Sequence, residues 1–181
     1  MKAKRGKNKW QDHYARRAKQ EKYLARSVYK LEEIQQKSWL QYAAGLVGEK
    51  GVVVGIDLII VKAPMPKPVC VYSGDIFDEA ADFWEKIGGG YHAVLSDMAP
   101  DTTGNRFVDT ARSFRLCQAA LGVARDRLRP GGSFVCKIFQ GEDFQEMVRA
   151  IRGLFKRYKI FKPKSCRKMS KEIYVIGMDR K

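Results

Sequence analysis

Val52-Val53-Val54-Gly55-Ile56-Asp57 is a run of mostly β-branched residues that ends in a carboxylate. Such residues favour the pleated backbone, and an apolar run without alternation fits a strand covered on both faces. The pattern recurs downstream. Val69-Cys70-Val71-Tyr72 is followed by Ser73-Gly74-Asp75, Tyr91 to Ser96 by Asp97, and Ser133 to Ile138 contains Lys137. A weaker strand is expected near 157–161, and Ile173 to Met178 reads as the last one. Helical stretches lie between them: Trp39 to Val47 closed by Gly48, residues 78–87 ended by Gly88-Gly89-Gly90, a long helix capped by Asp109 and running to about Leu128, and residues 142–155. Pro130-Gly131-Gly132 reads as a turn, residues 8–26 as a charged helical arm, and Ser27 is placed to cap a helix to about Gln36. This alternation predicts a single α/β domain with a mostly parallel sheet flanked by helices. Ligands of such sheets bind beyond the carboxyl ends of the strands. Here those ends carry Asp57, Asp75, Asp97 and Lys137.

The chain has 181 residues, enough for one domain with a real core, and a formal charge of +15. The charge is uneven: residues 1–30 carry a net +9, residues 31–148 a net −4 and residues 149–181 a net +10. A slightly acidic body between two basic ends points to a localised anion-binding surface, and a polyphosphate is the partner that rewards clustered Lys and Arg most. Solvated basic ends on an ordinary soluble domain are the plainer alternative. No stretch approaches the ~20 apolar residues of a membrane span, and the basic N-terminus lacks the apolar region of a secretory signal. Cys70, Cys117, Cys136 and Cys166 form no C-x-x-C pair, and with only two histidines a metal site is not expected. Cys70, Cys117 and Cys136 sit in apolar runs and read as reduced core residues of a cytoplasmic protein.

The chemistry concentrates at the strand ends. A carboxylate such as Asp57 can accept two hydrogen bonds from a ribose diol, or be a solvated loop acid. Asp75 can accept from an adenine amino group or cap the following helix. In Ser96-Asp97-Met98-Ala99-Pro100 a strand delivers an acid into a loop that proline stiffens. Lys137 stands within an apolar strand, where lysine is rarely buried without a partner. A desolvated lysine gives up its proton more readily and can act as a base near neutrality; a snorkelling lysine is the alternative. Lys30 and Glu172 stand in distinctive local contexts, and with Asp97 and Lys137 they can form one charge-balanced cluster.

Ala25-Arg26-Ser27-Val28-Tyr29-Lys30-Leu31, Ser96-Asp97-Met98-Ala99-Pro100, Lys137-Ile138-Phe139-Gln140-Gly141 and Ser170-Lys171-Glu172-Ile173-Tyr174 resemble, in this order, the FtsJ/RrmJ family of ribosomal RNA large-subunit methyltransferases. The resemblance runs from about residue 10 to residue 180 and implies a Rossmann-like, S-adenosylmethionine-dependent methyltransferase fold. It implies methylation of a ribose 2′-hydroxyl, on a uridine, in large-subunit (23S-type) ribosomal RNA within the large ribosomal subunit or its precursor. It places a catalytic tetrad on Lys30, Asp97, Lys137 and Glu172, and cofactor contacts on Trp39, Asp57, Asp75 and Asp97. Lys137 takes the role of base, with Asp97 orienting it and Lys30 and Glu172 positioning the ribose. No metal is implied, and a monomer is expected.

The chain departs from the family at one place. Members carry a strand and a loop of the form D-L-G-x-x-P-G-G-W before this tryptophan, whereas here Gln35-Gln36-Lys37 runs directly into Ser38-Trp39-Leu40. That strand would be the central one of the sheet, and its loop would cradle the methionine moiety. A segment left out between Lys37 and Ser38, with a physically suspect join there, is the expectation; a real deletion is the alternative. The competing function is a non-catalytic RNA-binding protein that has lost cofactor binding. RNA is expected along Lys4, Arg5, Lys7, Lys9, Arg16, Arg17, Lys19, Arg26, Lys164, Arg167 and Lys168, chiefly through phosphates. Trp10 and Tyr29 are candidates for stacking on bases, with core packing as their alternative.

Overall fold

The computed structural model describes residues 40–60, 65–163 and 170–181. The expected arm, the helix from Ser27 and the Lys37–Ser38 join lie outside the described residues. In chain order the elements are α1 (Leu40–Val47), β1 (Val53–Asp57), β2 (Val69–Ser73), α2 (Phe83–Lys86), β3 (Tyr91–Ser96), α3 (Arg106–Arg127), β4 (Leu128–Phe139), α4 (Phe144–Leu154), β5 (Phe155–Phe161) and β6 (Glu172–Arg180). The strands form two sheets, a parallel pair β1-β2 and a four-stranded sheet in the order β3-β4-β6-β5. β3 and β4 are parallel, while β6 runs antiparallel to both β4 and β5. The expected parallel pairing therefore holds within β1-β2 and β3-β4, and the sheet as a whole is mixed.

The larger sheet carries the core. On one face Phe134, Cys136 and Ile138 of β4 and Ile173 and Val175 of β6 pack against Cys117, Ala120 and Ala124 of α3 and Met147 and Ile151 of α4. The opposite face presents Val135, Tyr174 and Ile176, joined by Leu95, Phe161 and Met178. β4 and β6 are buried along most of their length, whereas β1, β2 and β3 are largely half-buried. Cys117 and Cys136 are core residues as expected, but Cys70 is exposed. It sits on β2, a strand no residue of which is fully buried.

Three local differences have physical causes. The helix expected over 78–87 shrinks to the single turn of α2. The Asp78 carboxylate accepts the Ala80 amide at 3.1 Å and the Asp78 carbonyl accepts the Trp84 indole N–H at 2.7 Å, which commits this backbone to a turn. Helix α3 is capped by Asn105, not Asp109: Asn105 Oδ1 accepts the amides of Phe107 and Val108. Pro130-Gly131-Gly132 does not end before a strand but lies inside β4 as a bulge, with the β3 register shifting between Tyr91 and Ala93. Gly131 takes φ +75°, a conformation glycine adopts without strain.

Asp109 has another task. Its Oδ1 accepts the Thr103 amide at 2.8 Å and the Thr103 hydroxyl at 2.9 Å, tying the loop after Asp97 to the first turn of α3. The Thr103 amide, more than any other group, holds the Asp109 carboxyl below its ordinary value of 3.8. A depressed carboxylate stabilises the fold above that value, and the contribution is lost as pH falls through the folded-state value. Asp109→Asn is expected to lower the urea midpoint at neutral pH. The gap to the parent is expected to narrow as pH falls below the ordinary aspartate value and the parent carboxylate itself becomes protonated. A gap that stays constant with pH would count against this role.

Candidate active site

The carboxyl ends of β3 and β4 create the site. Their parallel register pairs Ser96 with Cys136, so Asp97 and Lys137, the next residues, emerge as neighbours. Lys137 Nζ lies 3.1 Å from Asp97 Oδ1, and the two side chains are only 7% and 14% exposed. Opposite charges at this distance and depth share the cost of leaving water, and removal of either would strand the other. The lysine expected as a strand-end base is thus buried and paired, not snorkelling into solvent.

The backbone around Lys137 is held by α3. Pairing with β3 ends at Cys136. Beyond it the Lys137 carbonyl accepts from the Cys117 thiol at 2.9 Å, and the Phe139 amide donates to the Ser113 hydroxyl at 3.0 Å. The two side chains are one helical turn apart and satisfy backbone groups that β3 no longer reaches. A hydrogen bond with Cys117, together with complete burial, pushes the Cys136 thiol well up, so it stays protonated. Gly141 closes the same motif. A Cβ there would lie 2.6 Å from Thr110 Cβ, so only glycine lets the segment pass this close to α3.

On β6, Tyr174 is opposite Lys137 and Glu172 is opposite Phe139. Glu172 is therefore a diagonal neighbour of Lys137 on the same face, at about 7–8 Å. Tyr174 is completely buried, and its hydroxyl donates to Asp97 Oδ1 at 2.5 Å. Asp97, Lys137 and Glu172 are thus gathered at one end of the sheet. Lys30 and Trp39 lie outside the described residues, as do all the basic side chains named above as RNA contacts.

Asp57 and Asp75 form a second group, at the carboxyl ends of β1 and β2. Both are exposed. Asp57 Oδ1 accepts the Ile59 amide at 2.9 Å and Asp75 Oδ1 the Phe77 amide at 3.0 Å, so each carboxylate is fixed by its own loop. The Gly74 amide donates to the Asp57 carbonyl at 2.9 Å and links the two strand ends. A Cβ on Gly74 would meet the Phe83 ring at 2.4 Å. Asp75 therefore makes a turn of its own and caps no helix.

Sequence reasoning missed the partners of these groups. Tyr174 stands in a motif already singled out, two residues after Glu172 and so on the same face of its strand, but nothing local tells a hydrogen-bonding tyrosine from a packing one. Ser113 and Cys117 share one helix face at an i, i+4 spacing, a weak signal in a small-residue helix. Among the described residues, no group of three or more His, Cys, Asp or Glu side chains is placed to hold a metal, and no helix is long and apolar enough to cross a membrane.

The chain matches known proteins over nearly its whole length. The FtsJ-like methyltransferase family model matches residues 37–180. Ribosomal RNA large subunit methyltransferase E of Desulforapulum autotrophicum is 49% identical, covering 97% of this chain and 95% of that protein. The protein of the same name from Desulfosudis oleivorans is 50% identical, covering 94% and 91%. The first alignment extends over 193 positions although the chain has 181 residues, so at least 12 of them (193 − 181) face gaps in this chain. A ribosomal RNA methyltransferase crystal structure from Plasmodium falciparum shares the fold, with a TM-score of 0.75 at 23% identity, covering 87% of this chain and 98% of that one. With a family match that spans both the buried Asp97–Lys137 pair and the acids at the ends of β1 and β2, the chain belongs to the FtsJ-like methyltransferase family.

Proposed function

We propose that this protein methylates a ribose 2′-hydroxyl, on a uridine, of large-subunit ribosomal RNA, with S-adenosylmethionine as donor, acting as a cytoplasmic monomer. The observation that carries the reading is the buried ion pair of Lys137 with Asp97 at the end of β3. A ribose hydroxyl is a weak nucleophile until its proton leaves, and a base must lie within hydrogen-bond reach of it. Lys137 in its neutral form takes that proton. Asp97 then stabilises the ammonium and holds it in place. Glu172, diagonal to Lys137, and Lys30 position the ribose.

The donor fits the residues present. Asp57 and Asp75 each have one carboxylate oxygen anchored to a backbone amide, an arrangement that presents fixed negative charge to a cation. Asp57 suits the ribose diol, Asp75 the adenine, and Asp97 and Trp39 the methionine end. When bound, the donor supplies an electrophilic methyl on a sulfonium. Most of the acceleration comes from holding the hydroxyl close to it.

A strand and glycine-rich loop belong between Lys37 and Ser38. Two observations support this. The alignment with the D. autotrophicum relative has at least 12 positions unmatched in this chain (193 − 181). The strands also form two separate sheets, in which β1 and β3 are only half-buried although parallel strands are normally covered.

Transfer of tritiated methyl groups from S-adenosylmethionine to large ribosomal subunits tests both statements. The chain with a strand and a D-L-G-x-x-P-G-G loop restored at this point is expected to be active, and the 181-residue chain to bind the donor at least about tenfold more weakly for want of its cradle. Equal activity of the two forms would remove the need for the segment. RNA binding without methylation by either would favour the non-catalytic reading. In the active form, Lys137→Ala is expected to cost at least about 10²-fold in turnover while donor binding stays nearly unchanged. Retained turnover would refute the base assignment. Activity is also expected to fall steeply with added salt, as for any ligand held through phosphates.

A further inference from the structure

We propose that Tyr174 is a positioning residue that fixes Asp97 and, through it, aims Lys137. The proposal rests on the methyltransferase reading for its consequence, though not for its geometry. Tyr174 and Lys137 are directly opposed on β6 and β4 and therefore project from the same face. The Tyr174 hydroxyl donates to Asp97 Oδ1 at 2.5 Å, and Lys137 Nζ lies 3.1 Å from that same oxygen. A phenol donating to a carboxylate makes a charge-assisted hydrogen bond. One carboxylate oxygen has two lone pairs, and here both are engaged. Two donors on one oxygen leave the carboxylate a single orientation.

The consequence for Lys137 is directional. A neutral amine has two N–H groups and one lone pair. With one N–H held by Asp97 Oδ1, rotation about the last side-chain bond is restricted and the lone pair has a narrow range of directions. Without Tyr174, Asp97 could turn within its pocket and carry the amine with it. The phenol itself cannot drift, because Tyr174 is fully buried and packed with Val135 and Ile176. Its hydroxyl contacts the acid that pairs with the proposed base.

Tyr174→Phe keeps the ring and removes only the hydroxyl. Proton NMR of the full chain should show a downfield, slowly exchanging hydroxyl proton that disappears in both Tyr174→Phe and Asp97→Asn. In the active form, Tyr174→Phe is expected to lower kcat on the order of tenfold, with KM for RNA and for the donor unchanged. The pH profile of kcat should shift, which a purely structural loss would not produce. Absence of the downfield proton in the parent chain, or a wild-type kcat and pH profile in Tyr174→Phe, would overturn the proposal. If the parent fails to methylate RNA, the functional reading fails, and the NMR signal alone decides whether Tyr174 holds Asp97.

Discussion

The Lys137 ammonium and the Asp97 carboxylate meet 3.1 Å apart where both are almost completely withdrawn from water. Burial of either alone would be prohibitive, so each requires the other. The requirement propagates outward. β3 must stop at Ser96 for Asp97 to reach across, and β4 must continue past it for Lys137 to stand beside the acid. The continuation leaves β4 backbone groups without a β3 partner, and α3 supplies Cys117 and Ser113 to meet them. The close approach of α3 in turn requires glycine at 141, where a side chain would collide with Thr110. Strand lengths, helix placement and a motif glycine are thus consequences of one ion pair.

Sequence reading reached the parts of this arrangement that are local. Apolar runs located the strands, and the charged residues in or just after them singled out Asp57, Asp75, Asp97 and Lys137. The unread parts are those decided by distant partners. Lys137 was legible as an anomaly, but Cys117, 20 residues away in the chain, was not legible as its backbone anchor. Asp109 reads as a helix cap by residue type. Asn105 wins the position because its carboxamide reaches two amides, while Asp109 is drawn to Thr103. Residues 78–82 have helical composition, yet Asp78 and Trp84 satisfy each other in a turn. Cys70 sits in an apolar run whose period says nothing about which face is covered.

Charge shows the same division between local and distant. The acidic middle of the chain places Asp57, Asp75 and Asp97 at or just after strand ends. The described part of the basic C-terminal region includes Lys156, Arg157 and Lys159, exposed along β5 at the edge of the sheet. Lysines on an edge strand also discourage pairing with another sheet. Arg157 is already engaged with Asp179 at 2.6 Å, so not every basic side chain here is free to meet a phosphate.

The division of the sheet follows from what each half can bury. β4 and β6 pack against α3 and α4 on one face, and on the other their own Val135, Tyr174 and Ile176 are joined by Leu95, Phe161 and Met178, so both strands are largely buried. β1 and β2 have α1 against them, and the apolar loop Leu58-Ile59-Ile60 that follows β1 is 69–76% exposed. An exposed apolar loop beside half-buried parallel strands is a surface shaped for more chain. The strand proposed between Lys37 and Ser38 would serve to unite the two sheets, with Asp57 and Asp75 at the strand ends of one and Asp97 and Lys137 at those of the other. The proposed segment would complete the core and join the acids proposed to hold the donor to the proposed base, so its loss would be felt in stability and in activity together.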